Sequence, residues 1–343
     1  MKTTLPTTAV ILLLSAGIAA QTMTINGAGG TLPYPVYSLW FSEYAKLHPA
    51  VQIHYRAIGS SNGIQQLTTG SVFVGASDGP MSDQQLKVVP DTILHFPMVL
   101  GAIVPAYHLS GLNTQLKFTG ALLADIYLGT IRKWNDAAIA KLNPGVTLPA
   151  MDITVVHRSD GSGATFIWVD YLSKVSAAFK SKVGPSTSVG ARLNWPVGVG
   201  GQGNEGVAGL VMQAPGSIGY VELAYALQNK ITHGAVQNGA GEFVSASPEA
   251  VTAAAAGAAA TMPADFRISI TNAPGKGAYP VSSFTWLLVY QNPKDKAQAK
   301  AMVDFLKWAL TDGQKDCAGL GYAPLPASVV QLEMTALGKI KDS

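Results

Sequence analysis

The stretch Ile93–Tyr107, which reads ILHFPMVLGAIVPAY, is a long apolar, β-rich run with a proline towards each end. A second run of this kind, PVSSFTWLLVY at residues 280–290, lies near the carboxyl terminus. The two runs bracket the middle of the chain, and a chain that leaves one lobe and returns to it needs two connecting segments. We therefore predict two lobes, one built from residues 21–100 together with 280–343 and the other from residues 101–279. A ligand would lie in the cleft between them.

Strand-like and helix-like patterns alternate along the rest of the chain, which indicates an α/β fold. Residues 33–47 carry apolar side chains at helical spacing, and residues 51–58 alternate like a strand. Ser247 followed by Pro248 is typical of a helix start. We expect the alanine-rich tract 251–259, which follows it, to form an exposed helix because alanine favours helices.

The composition excludes several classes of protein. Of the 343 residues, 48% are hydrophobic and 13% are charged, which is too apolar for a disordered chain. The formal net charge of +3 gives no polybasic surface, so nucleic acid is not an expected partner. The single cysteine, Cys317, excludes an intramolecular disulfide framework and a cysteine-based zinc cage. We expect it to be a small buried thiol, and we predict neither a metal nor a cofactor.

The amino terminus has the pattern of a secretory signal peptide over residues 1–20. Lys2 supplies the positive charge, residues 9–14 form a short apolar core, and small residues follow at 16, 17, 19 and 20. The core is too short to span a membrane. We expect cleavage near Gln21 and, because no cysteine lies near that position, no lipid anchor.

Three segments share one pattern of a strand, a turn of small and hydroxyl residues, and a helix. They are GAGGTL at 27–32, IGSSNG at 58–63 and RSDGSGAT at 158–165. Unpaired backbone N–H groups at a helix start bind anions, and glycine lets the backbone approach closely. The sequence therefore predicts an anion site, with hydroxyl donors from Thr31, Ser60 and Ser162 and a planar, charged donor from Arg158.

An alternative interpretation of the second loop is enzymatic. Residues 59–63, GSSNG, match G-x-S-x-G after a strand, with Ser61 as the nominal nucleophile. A secreted serine hydrolase or phosphomonoesterase that uses Ser61 or Ser60 stays open on this ground, although it needs a base within reach. Neither glycine-rich loop matches the nucleotide-binding P-loop.

Asp78 follows a short apolar strand in the stretch VGASDGP, residues 74–80. A carboxylate in an anion site makes sense when the anion carries a proton that it can donate. Protonated phosphate can donate to Asp78, whereas fully ionised sulfate cannot and is repelled. The sequence therefore favours phosphate over another oxyanion such as sulfate or molybdate.

Taken together, these stretches resemble the periplasmic phosphate-binding protein of the phosphate ABC importer, the PstS family. The resemblance runs in family order from residue 27 to residue 326. The matching stretches are GAGGTLPYPVY, IGSSNGIQQL, VGASDGPMS, ADIYLGTIRKWNDAAIAKLNPG, VVHRSDGSGATF, GGQGNEGVAGLV, GSIGYVELAYA and GYAPLP. It implies a two-lobed periplasmic binding-protein fold (type II, Venus-flytrap) with two crossing hinge segments. It also implies a monomeric, periplasmic, non-enzymatic receptor for inorganic phosphate. The implied protein partner is the transmembrane permease of the importer.

The resemblance also implies which residues hold the phosphate. Asp78 would accept from the phosphate proton, and Arg158, held by Asp160, would donate to the anion. One position departs from the family, because Ala164 stands where the family usually has threonine, which removes one hydroxyl but keeps the backbone N–H. The full set of implied phosphate ligands is Thr31, Leu32, Ser60, Asp78, Arg158, Ser162, Gly163 and Ala164.

Overall fold

The structure, a computed structural model, describes residues 22–112, 114–185, 188–190 and 193–343. The predicted signal peptide, residues 1–20, lies outside the described residues. None of the helices in these ranges has the length and apolarity that a membrane crossing requires.

The described residues form a mixed sheet of eight strands and a small sheet of three, covered by helices, so the predicted α/β class is confirmed. The large sheet has the order β2-β1-β3-β11-β4-β8-β6-β7, and the small one β10-β9-β5. The strands are β1 (Met23–Gly29), β2 (Val51–Ala57), β3 (Val74–Ser77), β4 (Ile93–Tyr107), β5 (Lys117–Phe118), β6 (Thr154–Arg158), β7 (Val199–Gly201), β8 (Ser217–Glu222), β9 (Ala235–Gln237), β10 (Phe243–Val244) and β11 (Ser282–Tyr290).

Two groups of parallel strands flank the middle of the large sheet. Strands β1, β2 and β3 are the amino-terminal strand group, and β6, β7 and β8 are the central strand group. Strand β4 joins them, because its residues 93–102 pair with β11 and its residues 103–107 pair with β8. The two long apolar runs of the sequence are thus adjacent antiparallel strands at the centre of the sheet.

The helices follow the strands much as the sequence predicts. They are α1 (Tyr34–Leu47), α2 (Ser60–Thr68), α3 (Asp83–Leu86), α4 (Gly120–Tyr127), α5 (Ala137–Leu142), α6 (Gly163–Val175), α7 (Ala177–Lys182), α8 (Gly203–Gln213), α9 (Leu223–Gln228), α10 (Pro248–Ala255), α11 (Ala258–Thr261), α12 (Lys296–Thr311) and α13 (Ala327–Leu337).

Three expectations about local structure have clear outcomes. The Ser247 hydroxyl caps α10 by accepting a hydrogen bond from Ala250 N, as predicted. The prediction of an exposed helix for the alanine-rich tract is wrong, because α10 and α11 bury a face that includes Val251 and Ala255. Cys317 is a buried free thiol, as expected.

Candidate functional site

The loops after β1, β2, β3 and β6 meet at one place. The parallel strands β1, β2 and β3 end at one edge of the amino-terminal strand group. Strand β6 runs in the opposite direction, because three antiparallel pairings separate it from β3, so its carboxyl end faces that edge from the central strand group. Contacts between the two strand groups are direct. Ser61 N donates to Gly161 O at 3.2 Å, and Gly163 N donates to Ser60 Oγ at 3.2 Å. The structure therefore brings the three predicted anion loops and Asp78 together, with the two strand groups in contact around them.

Ser60 is fully buried at the start of α2, where its hydroxyl links two loops. Its Oγ donates to Asp78 Oδ2 at 3.2 Å and accepts from the backbone N–H groups of Asp78 and Gly163. Because this hydroxyl bonds to both Asp78 and Gly163, it holds the β3 turn next to the start of α6.

Asp78 is buried, and one of its carboxylate oxygens has no partner. Oδ2 accepts from Ser60, but Oδ1 has no hydrogen-bond partner among the described residues. Burial raises the pKa of Asp78 from 3.8 to about 7, and the charge of Arg158 opposes that shift only in part. A buried acceptor without a donor costs about 1–3 kcal/mol, so this oxygen is placed to accept from a ligand.

Two glycines make room for the Asp78 carboxyl group. A Cβ at Gly30 would lie 2.5 Å from Asp78 Oδ1, and one at Gly163 would lie 2.4 Å from Asp78 Cβ. Only glycine allows the backbone to approach Asp78 this closely at both positions. The glycines of the first and third loops are therefore part of the site and not only of the turns.

Arg158 is the buried cation of the site, and Asp160 holds it at two atoms. Its Nε and Nη2 donate to the two carboxylate oxygens of Asp160 at 2.7 and 2.5 Å. Its third nitrogen, Nη1, is buried without a hydrogen-bond partner among the described residues. Burial would raise the pKa of Asp160, but the hydrogen bond and charge of Arg158 outweigh it and lower that pKa below the usual value.

The third loop has a capped helix start, as the sequence predicts. Ser162 Oγ accepts from Thr165 N at 3.1 Å and so caps α6. Ala164 is fully buried in the first turn. The hydroxyl of the next residue, Thr165, lies 2.6 Å from the Tyr220 hydroxyl, which also accepts from Arg158 N. Thr165 is therefore engaged with Tyr220, and its hydroxyl does not take the place of the one that Ala164 lacks.

The first loop is held from several sides. Thr31 Oγ1 accepts from the side-chain amide of Asn204 at 2.8 Å, and Thr31 O accepts from the Tyr225 hydroxyl at 2.6 Å. Leu32 O accepts from the Tyr322 hydroxyl at 2.6 Å. The loop that carries Thr31 and Leu32 is thus fixed by residues of α8, of α9 and of the carboxyl-terminal region.

Sequence reasoning missed Asn204, Tyr220 and Tyr225 as site residues. A signal for Asn204 was present, because β7 and α8 form a fourth strand, glycine-rich turn and helix of the same pattern. The Gly203 N–H at that turn donates to Asp160 Oδ1 at 3.1 Å. No comparable signal marks the tyrosines, whose roles depend on the fold.

The described surroundings of Ser60 and Ser61 do not provide a catalytic histidine. The histidine rings with described hydrogen bonds make them elsewhere, His95 with Met81 N and His157 with Arg158 O. His108 and His233 likewise bond near their own positions in the sequence. In the described ranges, no three His, Cys, Asp or Glu residues lie together as a metal site.

Comparison with known proteins gives one consistent family. The PBP superfamily domain matches residues 15–312. The phosphate-binding protein PstS of Xylella fastidiosa (strain Temecula1) is 47% identical over 312 residues, which is 91% of this chain and 84% of that protein. The phosphate-binding protein PstS of Pasteurella multocida (strain Pm70) is 44% identical over 322 residues, covering 94% and 92%.

Among solved structures, a high affinity periplasmic phosphate-binding protein (PfluDING) bound with phosphate superposes with a TM-score of 0.75. The two chains are 21% identical, and the match covers 91% of this chain and 93% of that one. At this identity the likeness supports the fold.

Proposed function

Because the chain belongs to the PstS family of phosphate-binding proteins in the PBP superfamily, we propose that it is a periplasmic receptor for inorganic phosphate. It binds the anion and delivers it to a phosphate ABC importer. The observation that carries the proposal is a pair of buried atoms in one site that have no hydrogen-bond partner in the part of the chain that the structure describes, the acceptor Asp78 Oδ1 and the donor Arg158 Nη1. Protonated phosphate satisfies both, because it accepts through its oxygens and donates through its proton.

The ligands of the phosphate are the residues that the three loops and the β3 turn bring together. Backbone N–H groups at the starts of α2 and α6 favour an anion there. Asp160 is a positioning residue, because its two hydrogen bonds to Arg158 leave Nη1 as the free donor. We assign the phosphate to Thr31, Leu32, Ser60, Asp78, Arg158, Ser162, Gly163 and Ala164.

Selectivity follows from the protonation of the anion. Asp78 Oδ1 accepts from a phosphate proton, whereas sulfate has no proton to donate at neutral pH and meets a buried acceptor. A site built to hydrogen-bond one group discriminates against the analogue that lacks it by about 10⁴–10⁵. The receptor therefore takes phosphate and rejects sulfate.

The binding motion is a closure of two lobes, made of residues 21–100 with 280–343 and of residues 101–279. Continuity of β4 through residues 93–107 supports this division, since its first part pairs with β11, which lies next to β3, and its last part pairs with β8 of the central strand group. Bonds between the groups, such as Gly163 N to Ser60 Oγ, belong to the closed arrangement. Opening is a hinge motion that separates them.

We also propose the location of the protein and its protein partner. Residues 1–20 act as a signal peptide that is cleaved on export, and the mature protein works as a monomer. Its partner is the transmembrane permease of the importer. The relatives are named as phosphate-binding proteins, and nothing supports the alternative of a hydrolase that uses Ser61 or Ser60.

The deciding experiment is a titration of the phosphate-free mature protein by calorimetry, first with phosphate and then with phosphate in excess sulfate. We expect one phosphate per chain and no competition by sulfate. Absence of phosphate binding would contradict the function, and equal binding of sulfate would contradict the role of Asp78. Sustained turnover of a chromogenic phosphate or acyl ester that is lost in Ser61→Ala would instead support the hydrolase.

A further inference from the structure

The segment between α11 and β11 contacts the turn that follows β3 and also α6, the helix that follows β6. We call its residues 265–271 the brace. Phe266 in the brace is buried with φ of 58°, a left-handed conformation that is unusual for a bulky residue. Its carbonyl accepts from Trp286 Nε1 of β11 at 2.9 Å, which fixes this end of the brace to the centre of the sheet. A strained residue that is held in this way marks a segment whose path is set by its contacts.

Arg267 ties the first end of the brace to the turn that carries Asp78. Its Nη1 donates to Met81 O at 2.9 Å and to Asp83 Oδ1 at 2.7 Å. Its Nε donates to Asp265 Oδ2 at 2.8 Å, so the guanidinium is oriented from within the brace. Met81 comes three residues after Asp78 in the chain.

Of the contacts that Arg267 makes, the hydrogen bond to Met81 O stabilises the brace more than the ion pairs do. Asp83 is largely exposed, and exposed ion pairs contribute little to stability. Met81 is 1% exposed, and its own N–H donates to His95 Nε2 at 3.1 Å. Loss of Arg267 would leave the carbonyl of this buried residue without its charged donor, which is costly in a buried place.

The other end of the brace is tied to α6, the helix whose first turn we assign to phosphate. Ser269 and Thr271 both donate their hydroxyl groups to Asp170 Oδ2. Lys174 Nζ donates to the same two hydroxyl groups and pairs with Asp170 at 2.9 Å. Only Ile268 separates Arg267 from this second set of contacts.

We infer that the brace is a closure latch, in which Arg267 couples the Asp78 turn to α6 and slows the release of phosphate. The inference rests on the proposed function. Its contacts join the turn after β3 to α6 through residues other than those assigned to phosphate, so Arg267 is a positioning residue. Breaking them favours opening, while Asp78 Oδ1 and Arg158 Nη1 keep their places.

The test measures release of radiolabelled phosphate chased with unlabelled phosphate. We expect Arg267→Met to release phosphate about tenfold faster, as loss of one charged hydrogen bond to a buried carbonyl implies. The association rate should change by less than about twofold, and sulfate should still fail to compete, because affinity changes within one complex lie mostly in the dissociation rate. Arg267→Lys should give an intermediate rate, since lysine keeps the charge but not the fork.

Two further variants keep the test decisive. Asp170→Ala removes the acceptor at the other end of the brace and should also speed release. Lys300→Met removes an exposed ion pair within α12 and should leave release unchanged. Release at the wild-type rate in both brace variants would overturn the latch alone, and new competition by sulfate would show that Arg267 acts on Asp78 instead. Failure of the wild-type protein to bind phosphate would overturn the proposed function and the latch together.

Discussion

The side-chain amide of Asn204 donates a hydrogen bond of 2.8 Å to the hydroxyl of Thr31, although 173 residues separate the two in the chain. The same side chain accepts from Glu222 N at 3.0 Å through its oxygen. Asn204 is fully buried. One amide therefore joins the first anion loop to the start of α8 and to the end of β8.

Substitution Asn204→Ala should weaken phosphate binding about tenfold, since it removes a buried donor to Thr31 and an acceptor for Glu222 N, each worth roughly 1 kcal/mol. Calorimetric titration with phosphate measures the effect. The control is Asn229→Ala, which removes an exposed amide from the end of α9. Equal affinities in the two variants would show that the Thr31 contact has no part in binding.

Substitution Asp78→Asn should reduce the preference for phosphate over sulfate. The amide offers a donor as well as an acceptor, so a fully ionised anion is no longer repelled. Competition of sulfate with phosphate, followed by calorimetry, measures the change. Unchanged phosphate affinity together with unchanged rejection of sulfate would show that Asp78 acts only as a turn residue.

Without bound phosphate, the free energy of unfolding should depend on pH because of the Asp78 carboxyl group. Burial raises the pKa of Asp78 from 3.8 to about 7, so the folded state holds a proton that the unfolded state releases. The wild-type protein should therefore lose stability, relative to Asp78→Asn, as the pH rises from about 4 to about 7. Urea unfolding of both proteins in phosphate-free buffer at several pH values tests this, and parallel pH profiles would contradict it.

Substitution Arg158→Lys should weaken phosphate binding at least about a hundredfold, although it keeps the positive charge. Lysine cannot hold both oxygens of Asp160 and still present a planar donor to the anion, and a charged hydrogen bond contributes about 1.5–3 kcal/mol. Arg56→Lys is the matched control, because Arg56 is exposed and bonds to Gln66. Similar affinities in the two variants would rule out Arg158 as the charged ligand.

Substitution Glu333→Met should stabilise the protein. The side chain is fully buried in α13, neither carboxylate oxygen has a partner among the described residues, and burial raises its pKa well above the usual value. Removing a buried polar group without partners gains about 1–3 kcal/mol in the free energy of unfolding. Urea unfolding measures the gain, which should be smaller in Glu333→Gln, and a loss of stability in Glu333→Met would contradict the expectation.

Most of the fold could be predicted from local pattern. The apolar runs that become β4 and β11 and the cap at Ser247 are signals of short range, which a single sequence carries. The burial of the alanine-rich tract could not be predicted, because alanine has the same helix propensity on an exposed face as on a packed one.

The site was predictable where it is built from loops and not where it is built from the fold. Glycine and hydroxyl residues before a helix are visible in the sequence, and so are Asp78 and Arg158. Tyr220, by contrast, serves the site by placing its hydroxyl beside Thr165 and the N–H of Arg158. Tyr220 has that role only because β8 lies beside β6 in the fold, so no local pattern in the sequence indicates it.

Strand β4 is buried along nearly its whole length and has β11 on one side and β8 on the other. Its first ten residues pair with β11, and Leu100 also pairs with Ala323, so these partners lie far along the chain from β4. The centre of the sheet is therefore completed by contacts between segments that lie far apart in the sequence. Such non-local contacts form slowly, because the entropy of closing a long loop is lost before they stabilise the sheet, and the apolar strand β4 stays open to aggregation until they form.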